Sequence, residues 1–264
     1  MTAGRTAASK TDFSRIYTRP DPREFAAALR PLEYQVPRHA APVVVEVLDG
    51  RPVLDVCCSY GVNAAQLRCG VDVAELADRY ADPALAALDT AALVEADRAF
   101  YAGRLRAPEV RMLGLDASAP AVDYARRTGL LADGWAEDLE SGDPSPQLAA
   151  GVAEVGTIVC TGGVGYVGER TFGRLLDLVD VARLRLVVCV LRVFDYTPIA
   201  ELLAARSLVT EHRGTFPQRR FADAAEQAAA VHDVRARGLD PTGRESDGWF
   251  HADCFVSLPP SRAT

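Results

Sequence analysis

Two carboxylates on this chain stand where a ligand could be held. Asp55 lies in Val53-Leu54-Asp55-Val56-Cys57-Cys58-Ser59-Tyr60-Gly61-Val62-Asn63, an apolar run that carries an acid and passes through small residues toward a helical segment. Asp116 ends a second run, Leu113-Gly114-Leu115-Asp116. In an open α/β sheet, strand carboxyl ends and the backbone N–H groups of a helix start form the ligand crevice. An ionised carboxylate only accepts hydrogen bonds, through two oxygens, so Asp116 can take both hydroxyls of a ribose. The pair therefore reads as a site for an adenosine. The competing assignment makes Asp55 a helix cap and Asp116 the opening of a helix at residue 119.

Groups able to move a proton are few. The histidines are His39, His212, His232 and His251. His251, in Trp249-Phe250-His251-Ala252-Asp253 after the loop Glu245-Ser246-Asp247-Gly248, is the candidate base, and a strand histidine satisfied by its neighbours is the plainer assignment. Tyr34 is the second candidate at the reacting end, joined by Tyr17 if the N-terminal segment overhangs the ligand instead of only packing on the core. Cys57, Cys58, Cys69, Cys160, Cys189 and Cys254 form no Cys-x-x-Cys pair, and no His/Cys cluster has metal-ligand spacing. Reduced, buried thiols and no metal are expected.

Positioning these residues needs a sheet. Strands are predicted at 52–56, 110–115, within 130–139, at 156–161 and at 184–194, with helices at 63–68, 119–128, 147–154 and 171–182 between them. That alternation implies parallel βαβ units. Gly129 suits the stop of the helix before it. The tail reads as strands at 208–217 and 249–258 around a helix at 222–237, finishing the sheet with an antiparallel edge strand. Residues 71–104, rich in alanine, leucine and charge, are too long for an ordinary connection and read as a helical insertion. Residues 25–32 carry helical spacing, and 41–48 fit a helix or a buried strand equally. The expected organisation is a disordered tail at 1–12, an N-terminal helical cap at 13–50 and one domain at 51–264. Its expected fold is α/β and Rossmann-like, a seven-stranded, mostly parallel sheet with helices on both faces.

Composition narrows the function. A chain of 264 residues, 49% hydrophobic, can bury one enzyme-sized core. A net charge of −7, and no basic run interleaved with aromatics, argue against a nucleic-acid partner. Lys10 is the single lysine, so the positive charge is nearly all arginine. No run of about 18 apolar residues exists and the polar N-terminus lacks an apolar signal core, so a cytoplasmic protein with no membrane partner is expected. A homodimer remains open.

Taken in order, Asp-x-Cys-x-Ser-x-Gly at 55–61, Gly-Leu-Asp-Ala-Ser at 114–118, Ala-Glu-Asp-Leu-Glu at 136–140 and Ile-Val-Cys-Thr-Gly-Gly-Val at 158–164 resemble the motifs of class I S-adenosylmethionine-dependent methyltransferases. The match runs from about residue 52 to 194, and the whole chain is similar to bacterial small-molecule methyltransferase-like proteins with a Cys-Ser-Tyr-Gly-x-Asn turn. The resemblance implies S-adenosylmethionine as cofactor and S-adenosylhomocysteine as product. It places Asp116 on the ribose, Ala117 beside the adenine, Asp138 under the adenine amino group, and the Leu139 N–H as a donor. Thr161 and Gly162 would close the methionine end. Asp55, Cys57, Ser59, Gly61 and Asn63 would form the turn under the cofactor, with the Ser59 hydroxyl toward the methionine carboxylate. The family usually has glycine where this chain has Cys57 and Ser59, and glycine serves where φ is positive or a ligand crowds the backbone.

A rival pattern is Thr161-Gly162-Gly163-Val164-Gly165-Tyr166-Val167-Gly168, which has the glycine spacing of extended short-chain dehydrogenases. Those enzymes place the loop after their first strand and need a tyrosine followed four positions on by lysine, which nothing after Lys10 supplies. The function expected is methyl transfer to a small-molecule acceptor in bacterial secondary metabolism. A non-catalytic domain binding the cofactor or its product as a partner or regulator is the alternative, and an NADP-dependent reductase the minor one. Specificity would fall to the cap, the insertion and the loop before Trp249.

Overall fold

Runs such as 158–160 and 186–191 are apolar at every position, so the strands they form must be covered on both faces. The computed structural model describes residues 14–260, which leaves the expected tail at 1–12 outside the described residues. Strands β1 (Val53–Val56), β2 (Met112–Asp116), β3 (Asp133–Ala136), β4 (Thr157–Thr161), β5 (Arg185–Leu191), β6 (Val209–Arg220) and β7 (Trp249–Leu258) form a sheet in the order β3-β2-β1-β4-β5-β7-β6. Neighbours from β3 through β5 are parallel, and β7 runs against both β5 and β6. The fold is the expected seven-stranded Rossmann-like one. Its C-terminal strand is antiparallel but sits one place in, leaving β6 at the edge.

Alternate residues of β5 feed two cores. Val187 and Cys189 join Val36, Ala40, Val44 and Val47 of α3 (Val36–Val47), whose spacing of three to four residues lays one helix face on the sheet. The ambiguity at 41–48 is thereby resolved as helix. Leu186 and Val188 join Leu148, Phe172, Leu175, Ile199 and Leu203 on the other face. Ile199 and Leu203 belong to a helix, Thr197–Ala205, that has no counterpart among the predicted elements. Its average apolarity and its position just past a buried strand hide its period.

Before α3, the chain forms α1 (Ser14–Tyr17) and α2 (Arg23–Leu29). Both are held over the carboxyl ends of the strands. The Tyr60 hydroxyl lies 2.9 Å from the carbonyl oxygens of Ile16 and Arg19, and the Ser118 hydroxyl donates to the Tyr17 carbonyl. Phe25 packs between the rings of Tyr17 and Tyr60, with centroids 5.6 and 5.7 Å away. The predicted helix at 63–68 is a short α4 (Val62–Ala64) running into a π-helical turn, Ala65–Cys69.

Residues 71–104 hold α5 (Val73–Tyr80), α6 (Pro83–Ala86) and α7 (Thr90–Ala102). Each starts on an aspartate, Asp72, Asp82 or Asp89, whose side chain accepts a backbone N–H of the first turn. Asp97 of α7 is fully buried and accepts from the hydroxyls of Tyr80 and of Tyr124, the latter on α8 (Ala119–Arg127). Arg79 adds two donors at 2.9 and 2.8 Å. Removing that charge strands a guanidinium and two phenols, so Asp97→Ala should lose about 3–5 kcal/mol. Urea unfolding should show a lower midpoint at unchanged slope.

Candidate functional site

Strand order reverses between β1 and β4, which opens a crevice at their carboxyl ends. There the structure holds a cavity of ≈ 330 Å³. Its floor is the turn after β1, where Cys57, Ser59 and Gly61 have φ of +60°, +50° and +83°. Side chains in this left-handed region cost roughly 1–2 kcal/mol per residue. Cys57 and Ser59 therefore follow a backbone path that suits glycine, so their departure from the family pattern changes the side chains and not the route of the chain. At Gly61 the requirement is doubled, because a Cβ would meet the Leu130 side chain at 3.1 Å and the Ala125 Cβ at 3.2 Å.

Asp116 holds this turn. One carboxylate oxygen accepts the Ser59 N–H and the other the Ser118 N–H, both at 2.9 Å. The Cys57 N–H reaches the Leu115 carbonyl at 2.8 Å. Burial pushes the Asp116 carboxyl up, against the opposing pull of those backbone donors. Beneath the turn lies Asp55, which does not itself line the cavity. Its Oδ1 accepts from Asn63 Nδ2 at 2.8 Å, and the same amide donates to Thr161 Oγ1 at 2.9 Å, tying β1, α4 and β4 together. Asp55 Oδ2 and Ser59 Oγ are buried with no partner among the described residues. Burial pushes the Asp55 carboxyl up to about 8.

The acidic stretch after β3 divides by role. Glu137 accepts from the N–H and hydroxyl of Ser145 at 2.9 and 2.6 Å, pinning the following loop. Glu140 accepts the N–H groups of Gly168 and Thr171 at 2.6 and 3.1 Å, at the start of α9 (Glu169–Leu176). Asp138 is exposed, closes a local turn on Glu140 N–H and Ser141 Oγ, and lines the cavity beside buried Leu139. The glycine-rich loop 162–168 follows β4, and Glu140 fills the helix N-terminus where a dinucleotide phosphate would sit. That geometry disfavours the reductase reading.

Of the residues singled out from the sequence, Tyr34, Cys57, Ser59, Asn63, Asp116, Ala117, Asp138, Leu139, Thr161 and Gly162 line this one cavity. Asp55 and Gly61 support it from behind. His251 is not brought there. It lies on β7 opposite Pro217, half-buried, with Nδ1 unpartnered among the described residues and its pKa pushed down by burial. Tyr34 does reach the cavity, and its hydroxyl donates to the Thr161 carbonyl at 3.2 Å. Burial pushes that phenol well above its ordinary value, so it serves as a donor and not as a phenolate base. Tyr17 also lines the cavity. Phe25, Tyr166 and Val167 do so without a sequence signal, since nothing in their spacing shows which way a loop or helix start folds over.

No protein-family model and no curated protein matches this sequence. Among solved structures the chain is similar to a functionally unknown protein from Deinococcus radiodurans R1, at a TM-score of 0.50 and 16% identity, covering 93% of this chain and 98% of that one. It is also similar to a TehB-like SAM-dependent methyltransferase from Corynebacterium glutamicum, at 0.43 and 14%, over 86% and 88%. A third is the plantazolicin methyltransferase BpumL in complex with SAH, at 0.42 and 11%, over 97% and 94%. The likeness is one of fold, the seven-stranded Rossmann-like α/β sheet.

Two outcomes follow from the turn. Ser59→Gly removes a left-handed side chain and a bare hydroxyl, and should stabilise by about 0.5–1 kcal/mol in denaturant melts. The folded chain keeps a proton on Asp55 that the unfolded chain releases, so its contribution to stability is full below about pH 4 and is lost as pH rises to about 8. Asp55→Asn lacks this dependence. Its stability relative to wild type should climb through that window and level off above it, whereas a constant offset would show that Asp55 titrates normally.

Proposed function

We propose that this chain is an S-adenosylmethionine-dependent methyltransferase of a small-molecule acceptor. The observation that carries the reading is the convergence, on one cavity, of a ribose-type carboxylate at the end of β2 and the left-handed turn at the end of β1 that carries Ser59. Asp116 has one backbone donor on each oxygen, which leaves each oxygen able to accept a ribose hydroxyl. Ala117, Asp138 and Leu139 would flank the adenine. At the other end Ser59 Oγ has no partner among the described residues, and Asn63, Thr161 and Gly162 line the cavity with it. A zwitterionic amino-acid group suits these polar residues. The residues present thus fit the cofactor.

Bound S-adenosylmethionine supplies an electrophilic methyl group, so the protein's task is chiefly alignment and exclusion of water. Tyr17, Phe25, Tyr34 and Tyr166 form an aromatic wall of the cavity that suits a small organic acceptor. Tyr34, anchored on the Thr161 carbonyl, fixes that wall at the methionine end. No helix among the described residues is long and apolar enough to cross a membrane. The reading is of a cytoplasmic enzyme of bacterial secondary metabolism. A second reading, a domain that binds cofactor or product without turnover, draws on the placement of His251 off the cavity.

Calorimetry tests the cofactor assignment. Wild type should bind S-adenosylmethionine and S-adenosylhomocysteine, and Asp116→Ala should weaken both by roughly 10- to 100-fold, the loss of hydrogen bonds to a charged group. Absence of binding to wild type, or equal binding by the variant, overturns the assignment. Labelled cofactor incubated with candidate acceptors then separates enzyme from binding domain.

A further inference from the structure

β6 and β7 lose register between Pro217 and Arg219, so Gln218 is the extra residue of a β-bulge. Bulges recur beside functional sites because they re-aim a side chain. Here the bulge sends Gln218 to the end of β4. A Cβ on Gly162 would lie 2.7 Å from Gln218 Nε2 and 3.7 Å from the Tyr34 hydroxyl, so the amide, the phenol and the bare glycine meet at one point. Gly162 and Tyr34 both line the cavity, and Gly162 has a φ of +92°. No other residue type would serve at 162, on grounds of both conformation and space.

The bulge is fixed from both sides. The Gln218 carbonyl accepts the Gln35 N–H at 2.8 Å, next to Tyr34. Arg219 makes paired hydrogen bonds to Glu226 at 2.8 and 2.7 Å and lies over the Phe250 ring. Yet the amide itself is incomplete. Gln218 is 3% exposed and its Oε1 has no partner among the described residues. A buried acceptor left without a donor is unfavourable, and a leucine of similar size would carry no such penalty. The Thr161 carbonyl at this end of β4 is engaged by Tyr34.

We propose that Gln218 recognises the amino-acid end of the bound nucleoside, its Oε1 accepting from the α-ammonium group. This rests on the nucleoside reading of the cavity and deepens it. The site then selects a nucleoside thioether or sulfonium that carries an amino-acid tail over one that lacks it. Gln218 is a binding residue contributed by the far edge of the sheet, across β5 and β7 from the strand end it serves.

The test compares S-adenosylhomocysteine with 5′-methylthioadenosine, which shares the adenosine and the sulfur but has no amino-acid group. By calorimetry, Gln218→Leu should weaken the first about tenfold and leave the second within about twofold of wild type. Gln218→Glu keeps acceptor oxygens and should retain the affinity for S-adenosylhomocysteine. Equal weakening of both ligands by Gln218→Leu would mean a merely structural role and overturn the proposal, as would unchanged binding of S-adenosylhomocysteine. Circular dichroism melts of both variants report whether they fold, and the Gln218→Glu result alone decides if the leucine variant does not. Wild type binding neither nucleoside overturns the reading of the site, and the role of Gln218 with it.

Discussion

The crevice depends on a turn that enters the left-handed region three times in five residues, at Cys57, Ser59 and Gly61. Two of the three carry side chains, so the conformation has to be imposed from outside. Asp116 imposes it from β2, by accepting the Ser59 N–H, and Leu115 does so through its carbonyl. Asn63 clamps the far end of the turn onto Asp55 and Thr161. Three adjacent strands thus share the work of holding one loop, and their parallel register sets how far the loop stands above the sheet.

Buried carboxylates show how the chain spends its polar groups. Asp97 and Glu226 are surrounded by donors, and their helices are locked by them. Asp55 sits as deeply but with one oxygen bare. A polar atom left unsatisfied beside a cavity is a stability cost that a ligand can recover, whereas one satisfied by its own fold is not available to any ligand.

Much of this was legible in the sequence because it is local. Apolar runs gave the central strands to within a few residues, and Asp-ended runs marked which loops line the crevice, since a strand's end in a parallel sheet is where its connection must leave. The acidic stretch at 136–140 is mixed, and spacing alone could not tell Glu137 and Asp138, which line the cavity, from Glu140, which holds another loop. What spacing does not encode is long-range register. His251 lies off the cavity because the register of β7 sets it opposite Pro217, and Gln218 reaches Gly162 because a bulge shifts it. Neither has a local signature. The aromatic wall of Tyr17 and Phe25 arises from a chain segment folding back over the sheet, held by Tyr60 and Ser118, distant partners in sequence.

Glu140 caps α9 with a carboxylate that comes from the loop after β3. That single side chain splints two walls of the crevice, the one carrying Asp138 and Leu139 and the one carrying Gly162 and Tyr166, into one stiff piece. The floor is fixed by three strands. The remaining boundary, α1 and α2, is tied down by the hydroxyls of Tyr60 and Ser118 and by Arg23, which donates to the carbonyls of Ala86 and Leu88. Ser118 thus serves both parts of the crevice, its hydroxyl holding the segment that overhangs the cavity and its N–H holding the carboxylate of Asp116.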